Sequence, residues 1–278
     1  MSLTVFLAVL GAALLHASWN ALVRIGASRI GTMMVLSGVQ GLIGLAVVAT
    51  QPLPEAKVWP WLLASGAIHS AYKILLTYAY EHGDLSRVYP LARGTAPMIT
   101  LLVGVLWLSE AASGTEVAGI LLLGLGILLL ARGVWTGGES RRMLPFAFGS
   151  ACATAGYTLV DGLGARVAGN ATQFVGWLFV IDGVIFAAAM LALRGRSAVP
   201  SAPRVWALGS LGAAASYGSY AIAVWAMTLA PIALVAALRE TSILFAVLIG
   251  WLGFGEKMTA GKAVSVAMIA GGVALTRI

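Results

Sequence analysis

The chain has 278 residues, 60% of them hydrophobic and only 10% charged, with a net charge of +7 and a mean hydropathy of +0.95. A soluble domain carries about 25% charged residues, so this composition excludes an ordinary water-soluble fold. The basic residues stand singly or in pairs at the ends of apolar runs, which excludes a nucleic-acid-binding stripe. The lone Cys152 excludes an internal disulfide and a cysteine-based metal site.

Apolar segments of spanning length follow one another along the chain. The first, near 3–23, lacks a charged leader before its apolar run (Met1-Ser2-Leu3) and reads as a retained helix. It carries His16, Trp19 and Asn20 on one face at spacings of three and four. That face is expected to point into the bundle, with His16 a candidate proton shuttle and Asn20 a candidate partner for a neighbouring helix. The second span falls near 32–50 and the third near 58–80. The third holds His69, Tyr72, Lys73, Tyr78 and Tyr80, of which His69, Lys73 and Tyr80 share a face. A mid-span lysine is costly unless it meets an acid or water.

The fourth span, near 86–108, begins with Tyr89-Pro90-Leu91-Ala92-Arg93-Gly94-Thr95-Ala96-Pro97, and the fifth falls near 115–133. After the polar break at Gly137-Gly138-Glu139-Ser140-Arg141-Arg142, further spans fall near 143–163, 172–193, 204–229, 232–252 and 259–277. The sixth contains Tyr157 and Asp161, the seventh Asp182, and the eighth Tyr217, Tyr220 and Trp225. The ninth contains Ala237-Leu238-Arg239-Glu240-Thr241. Asp182 is the deepest acid and Glu240 the next, which makes them the expected counter-ions for Arg93, Arg239 and Lys73.

The two halves match each other. A shift of 146 residues pairs Arg93 with Arg239, Thr95 with Thr241, Leu102 with Leu248, Gly104 with Gly250, Glu110 with Glu256 and Gly126 with Gly272. A shift of 138 pairs Trp19 with Tyr157 and Gly26 with Gly164. Each arginine stands about eight residues into its span, roughly 12 Å into a hydrocarbon layer about 30 Å thick. A charge at that depth costs about 2.5–3.5 kcal/mol on the most lenient scale, so it marks a task or a partner. Five spans per half put the copies upside down relative to each other, the arrangement of secondary transporters with a midplane site. The expected fold is therefore an all-α membrane protein. Its ten transmembrane helices form two inverted five-helix repeats, 1–136 and 137–278, around a central cavity.

Small residues indicate where helices approach closely. Gly119, Gly124 and Gly126 of the fifth span, with Ala267, Gly271 and Gly272 of the tenth, predict that these two spans pack together. Trp59, Trp61, Trp107, Trp135, Trp206 and Trp251 fall at span ends, as interface tryptophans do. The count of basic residues at the loop ends favours both termini outside. The candidate substrate-binding set is His16, Trp19, Asn20, Lys73, Tyr78, Tyr89, Arg93, Tyr157, Asp182, Tyr217, Tyr220, Trp225, Arg239 and Glu240. Aromatic faces with a few fixed charges suit an amphipathic metabolite, with arginine on a carboxylate and an acid on an amine.

The whole chain resembles a ten-helix member of the drug/metabolite transporter superfamily, of the EamA type. The resemblance is carried by the two five-helix halves, Trp19-Asn20 and the repeated acid after the fourth span of each half. That acid is Glu110, and again Glu256 in Gly255-Glu256-Lys257-Met258-Thr259, followed by Gly271-Gly272. It implies a secondary transporter exporting amino acids, aromatic or neutral, or related small metabolites. In the superfamily's small multidrug exporters a first-span carboxylate precedes a basic residue by about two turns. Here His16 stands at that distance before Arg24 with no acid in place, which favours a zwitterion or an anion over a cationic drug. Other readings are a carrier of nucleotide sugars, phosphorylated metabolites or lipophilic drugs, or a non-transporting membrane scaffold. Enzyme motifs such as His-Glu-x-x-His and Gly-x-Ser-x-Gly are missing, and Ser65 with His69 lacks an oxyanion element. No cofactor or metal is expected. The expected partners are the lipid bilayer and a small-molecule substrate, a monomer should suffice, and the setting is a bacterial inner membrane.

Overall fold

The computed structural model describes residues 1–25, 29–82, 95–106, 113–130, 142–255 and 257–277. Tyr89, Arg93, Glu110, Glu256 and Gly26 lie outside the described residues, as do Pro90, Gly94, Trp107, Trp135 and the side chains of Arg24 and Tyr80. The first half contains α1 (Leu3–Ile25), α2 (Arg29–Val48), α3 (Trp59–His82), α4 (Ala96–Leu106) and α5 (Gly114–Leu130). The second contains α6 (Met143–Ala168), α7 (Ala171–Arg194), α8 (Pro203–Met227), α9 (Ile232–Arg239), α10 (Ser242–Phe254) and α11 (Ala260–Leu275). There is no strand among the described residues.

Local chemistry sets several helix ends. Before α5, the Ser113 amide donates to Glu116 Oε2 at 2.8 Å while the Glu116 amide donates to Ser113 Oγ at 3.1 Å. This reciprocal pair satisfies donors that a helix start leaves open. Asn170 accepts from the Gln173 amide at the start of α7, and Thr259 accepts from the Lys262 amide at the start of α11. Gly169, in the left-handed region at φ 66°, closes α6.

Five stretches are long and apolar enough to cross a membrane: Leu3–Leu22, Ile30–Val48, Met143–Ala168, Ala171–Ala198 and Ile232–Gly253. Four of the helices that fall short among the described residues form two matching pairs. α3 and α8 have 24 and 25 residues but carry the polar interior described below, which lowers their hydropathy. α5 and α11 are apolar but only 17 and 16 residues long, about 25 Å at 1.5 Å per residue.

The packing has a two-fold pattern. α1 lies on α8 as α3 lies on α6, and α2 touches α8 as α3 touches α7. α2 and α7 pack directly on each other, and so do α5 and α11. Glycine makes both of these crossings close. A methyl on Gly44 would stand 2.5 Å from the Gly176 carbonyl, and Gly41 lies against Phe179 and Gly183. The contact order shows that α2 and α7 run antiparallel. In the other crossing Gly119 meets Gly272 and Gly126 meets Ser265 and Ile269, again antiparallel, as the small residues of these spans predict. Gly124 differs, because it faces Met98 of α4. With lipid on the outside there is no hydrophobic drive between helices, so this close contact supplies the attraction.

The expected unbroken ninth span is interrupted at Glu240-Thr241, between α9 and α10. Here the backbone tightens. Glu240 N donates to Ala237 O, Thr241 N to Leu238 O, Ile243 N to Glu240 O and Leu244 N to Thr241 O, each at 2.9–3.1 Å and each three residues back. The Thr241 hydroxyl also donates to Leu238 O at 2.7 Å. A threonine competing for a backbone carbonyl is a known cause of local irregularity, and a short 3₁₀ stretch within an α-helix often marks a hinge. Neither Pro231 nor Pro97 lies at this break. Pro231 stands at the N-cap of α9, and Pro97 lies in the first turn of α4, where a missing N–H costs nothing. The chain ends meet on one face, with Arg277 donating to Met1 O at 3.1 Å.

Candidate functional site

The buried polar residues of α3 divide between two clusters. Lys73, one turn beyond His69, is 5% exposed and donates to Ser37 Oγ of α2 at 2.8 Å and to Asp182 Oδ2 of α7. Ser70 donates to the other carboxylate oxygen of Asp182 at 3.1 Å. Lys73 also lies 5.5 Å from the ring centre of Phe186. Asp182 is fully buried, and both of its oxygens are bonded. The expected pairing of Lys73 with Asp182 is therefore found.

The second cluster joins α3, α6, α8 and α9. His69 Nε2 stands 2.9 Å from Asp161 Oδ2 and 3.2 Å from the Tyr220 hydroxyl. That hydroxyl donates to the same Asp161 oxygen. Tyr157 stacks on the imidazole at 4.0 Å, and Tyr72 meets Tyr157 edge-on. Phe179 approaches His69 and Tyr220, and half-buried Tyr217 lies against Phe179 at the margin. Arg239, 6% exposed, places its guanidinium 4.9 Å over the Tyr220 ring, a cation–π contact that gains strength away from water.

Arg239 also lines a crevice with room for about one water molecule. Ala96 and Thr100 of α4, Thr154 and Thr158 of α6, and Arg239 with Glu240 at the helix break form its walls. Among the described residues, Arg239 meets no hydrogen-bond acceptor and no acid. Glu240 is 3% exposed. α9 is 8 residues long, which sets the arginine about 12 Å along its span.

Other expected members stand elsewhere. His16, Trp19 and Asn20 do share a face, but they bond one another. The Trp19 indole donates to His16 Nδ1 at 3.3 Å, and the Asn20 amide donates to His16 O at 2.8 Å. Trp19 packs on Leu36 of α2 and Ala213 of α8. An Nδ1 that accepts from the indole carries no hydrogen of its own, so this contact sets the tautomer of the His16 ring. Tyr78 stacks on Phe146 and lies under Arg194, at the far end of α3 from Asp161. Trp225 is 38% exposed and faces away from the interior, because its position on α8 points opposite to the Tyr220 side. Arg166, an exposed residue, donates to Met227 O and Ala230 O and so closes the end of α8.

Sequence reasoning placed Asp161 and His69 in spans without assigning them to the site, and it missed Ser37, Ser70, Thr154 and Thr158. The available signal was that Asp161 and His69 are ionisable residues inside apolar runs, which is a functional hypothesis by default.

A family model for EamA-like transporters matches residues 3–132 and matches again over residues 141–278. The chain belongs to the EamA-like transporter family. As a member it is an integral membrane protein and a membrane transporter of small molecules. A solved structure described only as "Crystal structure of protein" aligns with a TM-score of 0.76 at 20% identity, covering 99% of this chain and 98% of that one. At that identity the likeness concerns the fold alone. A search of curated proteins found no match.

Proposed function

We propose that this EamA-family transporter exports amino acids, aromatic or otherwise neutral, or related small metabolites, by alternating access. The observation that carries the reading is Arg239, a nearly buried guanidinium at a helix break, facing a crevice and meeting no acceptor among the described residues. A planar donor fork in that setting suits a substrate carboxylate. Glu240 in the same wall suits an amine, and the Thr154 and Thr158 hydroxyls add polar contacts. A phosphate ester or nucleotide sugar would call for several cations.

The architecture in this reading is ten spans in two inverted halves, with 1–136 and 137–278 as one integrated domain in a bacterial inner membrane. Three facts support it. Equivalent helices α2 and α7 cross antiparallel, and so do α5 and α11. The pairing of helices repeats between the halves. Both chain ends lie on one face, as an even number of crossings requires. Alternation would open the crevice by parting α4 and α6 from α9, with the Glu240-Thr241 break as the bending point.

The test is flux of labelled L-phenylalanine and other neutral amino acids in proteoliposomes, alongside a thermal-shift screen that includes phosphorylated metabolites and cationic dyes. Arg239→Ala and Arg93→Ala should abolish flux while the protein still inserts. Undiminished flux in Arg239→Ala would remove the basis of this assignment.

A further inference from the structure

The transport reading gives Arg239 a task and leaves His69, Asp161 and Tyr220 without one. Their hydrogens can be counted. The Tyr220 hydroxyl gives its only hydrogen to Asp161 Oδ2. His69 Nε2 faces the same oxygen at 2.9 Å. A bare imidazole lone pair there would oppose a carboxylate lone pair, so Nε2 carries a hydrogen and donates it. In the uncharged ring Nδ1 is then a lone pair, with no donor to it among the described residues. Asp161 Oδ1 is fully buried and has no hydrogen-bond partner either. The cluster thus holds one negative charge and two unfilled acceptors inside the bundle.

We propose that His69, Asp161 and Tyr220 form a proton-binding site linked to the anion subsite at Arg239 through the Tyr220 ring. This rests on the transport reading above. The proton comes from water and adds to His69 Nδ1, since His69 keeps slight exposure whereas Asp161 has none. No existing bond breaks. The product is an imidazolium held by the Asp161 carboxylate, so the pair becomes neutral overall.

Every charged or titratable neighbour among the described residues can be placed. α3 contributes Lys73 one turn away, and α7 contributes Asp182, but these two neutralise each other. α6 contributes Tyr157 and Asp161, and α8 contributes Tyr217 and Tyr220. α9 contributes Arg239, with Glu240 following at the break. Arg239 is the cation that touches the cluster, through the ring whose hydroxyl holds Asp161. While its charge is unopposed it favours the negative, unprotonated cluster. A carboxylate bound to Arg239 opposes that charge and so favours the protonated cluster. Linkage makes the effect reciprocal, and proton and substrate bind together.

Two measurements test this. The chain has 3 histidines, so ¹⁵N-histidine labelling in nanodiscs resolves His69 against His16 and His82. Across a pH series the His69 imidazole should pass from one bound proton to two, and this change should vanish in His69→Gln. In Arg239→Gln its midpoint should shift. A double variant, His16→Asn with His82→Asn, leaves His69 as the only histidine, so the assignment does not depend on a triad variant folding. A His69 locked in one state across the range, or a midpoint unmoved in Arg239→Gln, would overturn the proposal. The second measurement uses proteoliposomes containing a trapped pH dye. Downhill L-phenylalanine efflux should alkalinise the lumen, and His69→Gln should lose that change. Efflux in the wild type with a constant lumenal pH would also overturn the proposal. If wild-type protein moves no L-phenylalanine, the substrate reading fails, and the histidine titration decides the proton site alone.

Discussion

His69 and Lys73 stand one turn apart on α3, and each holds an acid from the second half of the chain. Around Lys73 the bonding is complete: the ammonium reaches Ser37 and Asp182, Ser70 occupies the remaining carboxylate oxygen, and Phe186 covers the charge. Around His69 it is incomplete, because the buried Asp161 Oδ1 has no hydrogen-bond partner among the described residues. A saturated pair in a dry interior can only hold helices in place, since any change of protonation or partner leaves a charge uncompensated. An unsaturated pair tolerates a change of state. The difference separates a clamp that joins α2, α3 and α7 from a reactive centre that joins α3, α6 and α8 next to the crevice.

The largest test of this contrast is on the clamp. Lys73→Met leaves Asp182 charged and alone, and it should destabilise the protein by about 3–5 kcal/mol, read as a fall in thermal unfolding temperature in detergent. Adding Asp182→Leu removes the stranded charge and should recover most of that loss. If the double variant is as unstable as the single, the pair is more than a clamp. Next in size is Gly44→Ala, which drives a methyl into the Gly176 carbonyl. A cost of about 1–3 kcal/mol is expected, with no effect on the pH dependence of transport, since neither cluster is touched.

Tyr220→Phe keeps the ring beneath Arg239 and deletes the hydroxyl bonded to Asp161. It should cost about 1.5–3 kcal/mol, the worth of a hydrogen bond to a charged group, and it should alter flux more than Lys73→Met with Asp182→Leu does. Equal flux in the two would erase the distinction between the clusters. The smallest effect is expected at Gln40, which donates to Ser216 at 3.1 Å but has a bare buried Oε1. Gln40→Leu removes an unsatisfied acceptor with the bond, so stability should change by less than about 1 kcal/mol.

What could be read from the chain beforehand was what depends on composition and repetition. Apolar runs separated by short polar breaks required a membrane protein. Arg93 and Arg239, matched at a fixed shift, required two related halves, and the family model matches each half separately. The glycines of the fifth and tenth spans marked a crossing that the structure contains. Lys73 needed an acid, and Asp182 was the deepest available. In each case a local cost, whether a buried charge or a bulky Cβ at a crossing, can be read one residue at a time.

Only the tertiary structure decided which residues share a centre. His69, Asp161 and Tyr220 lie on three helices, with 92 residues between the first two and 59 between the last two. Their meeting depends on how each helix is rotated. Helices apolar on nearly every side give little sign of that rotation, so Trp225 and Tyr78 looked as eligible as Tyr220. The break at Glu240-Thr241 was hidden for a related reason, since neither proline nor glycine marks it. It arises from a threonine hydroxyl competing for a backbone carbonyl, and whether that competition disturbs a helix depends on what packs around it.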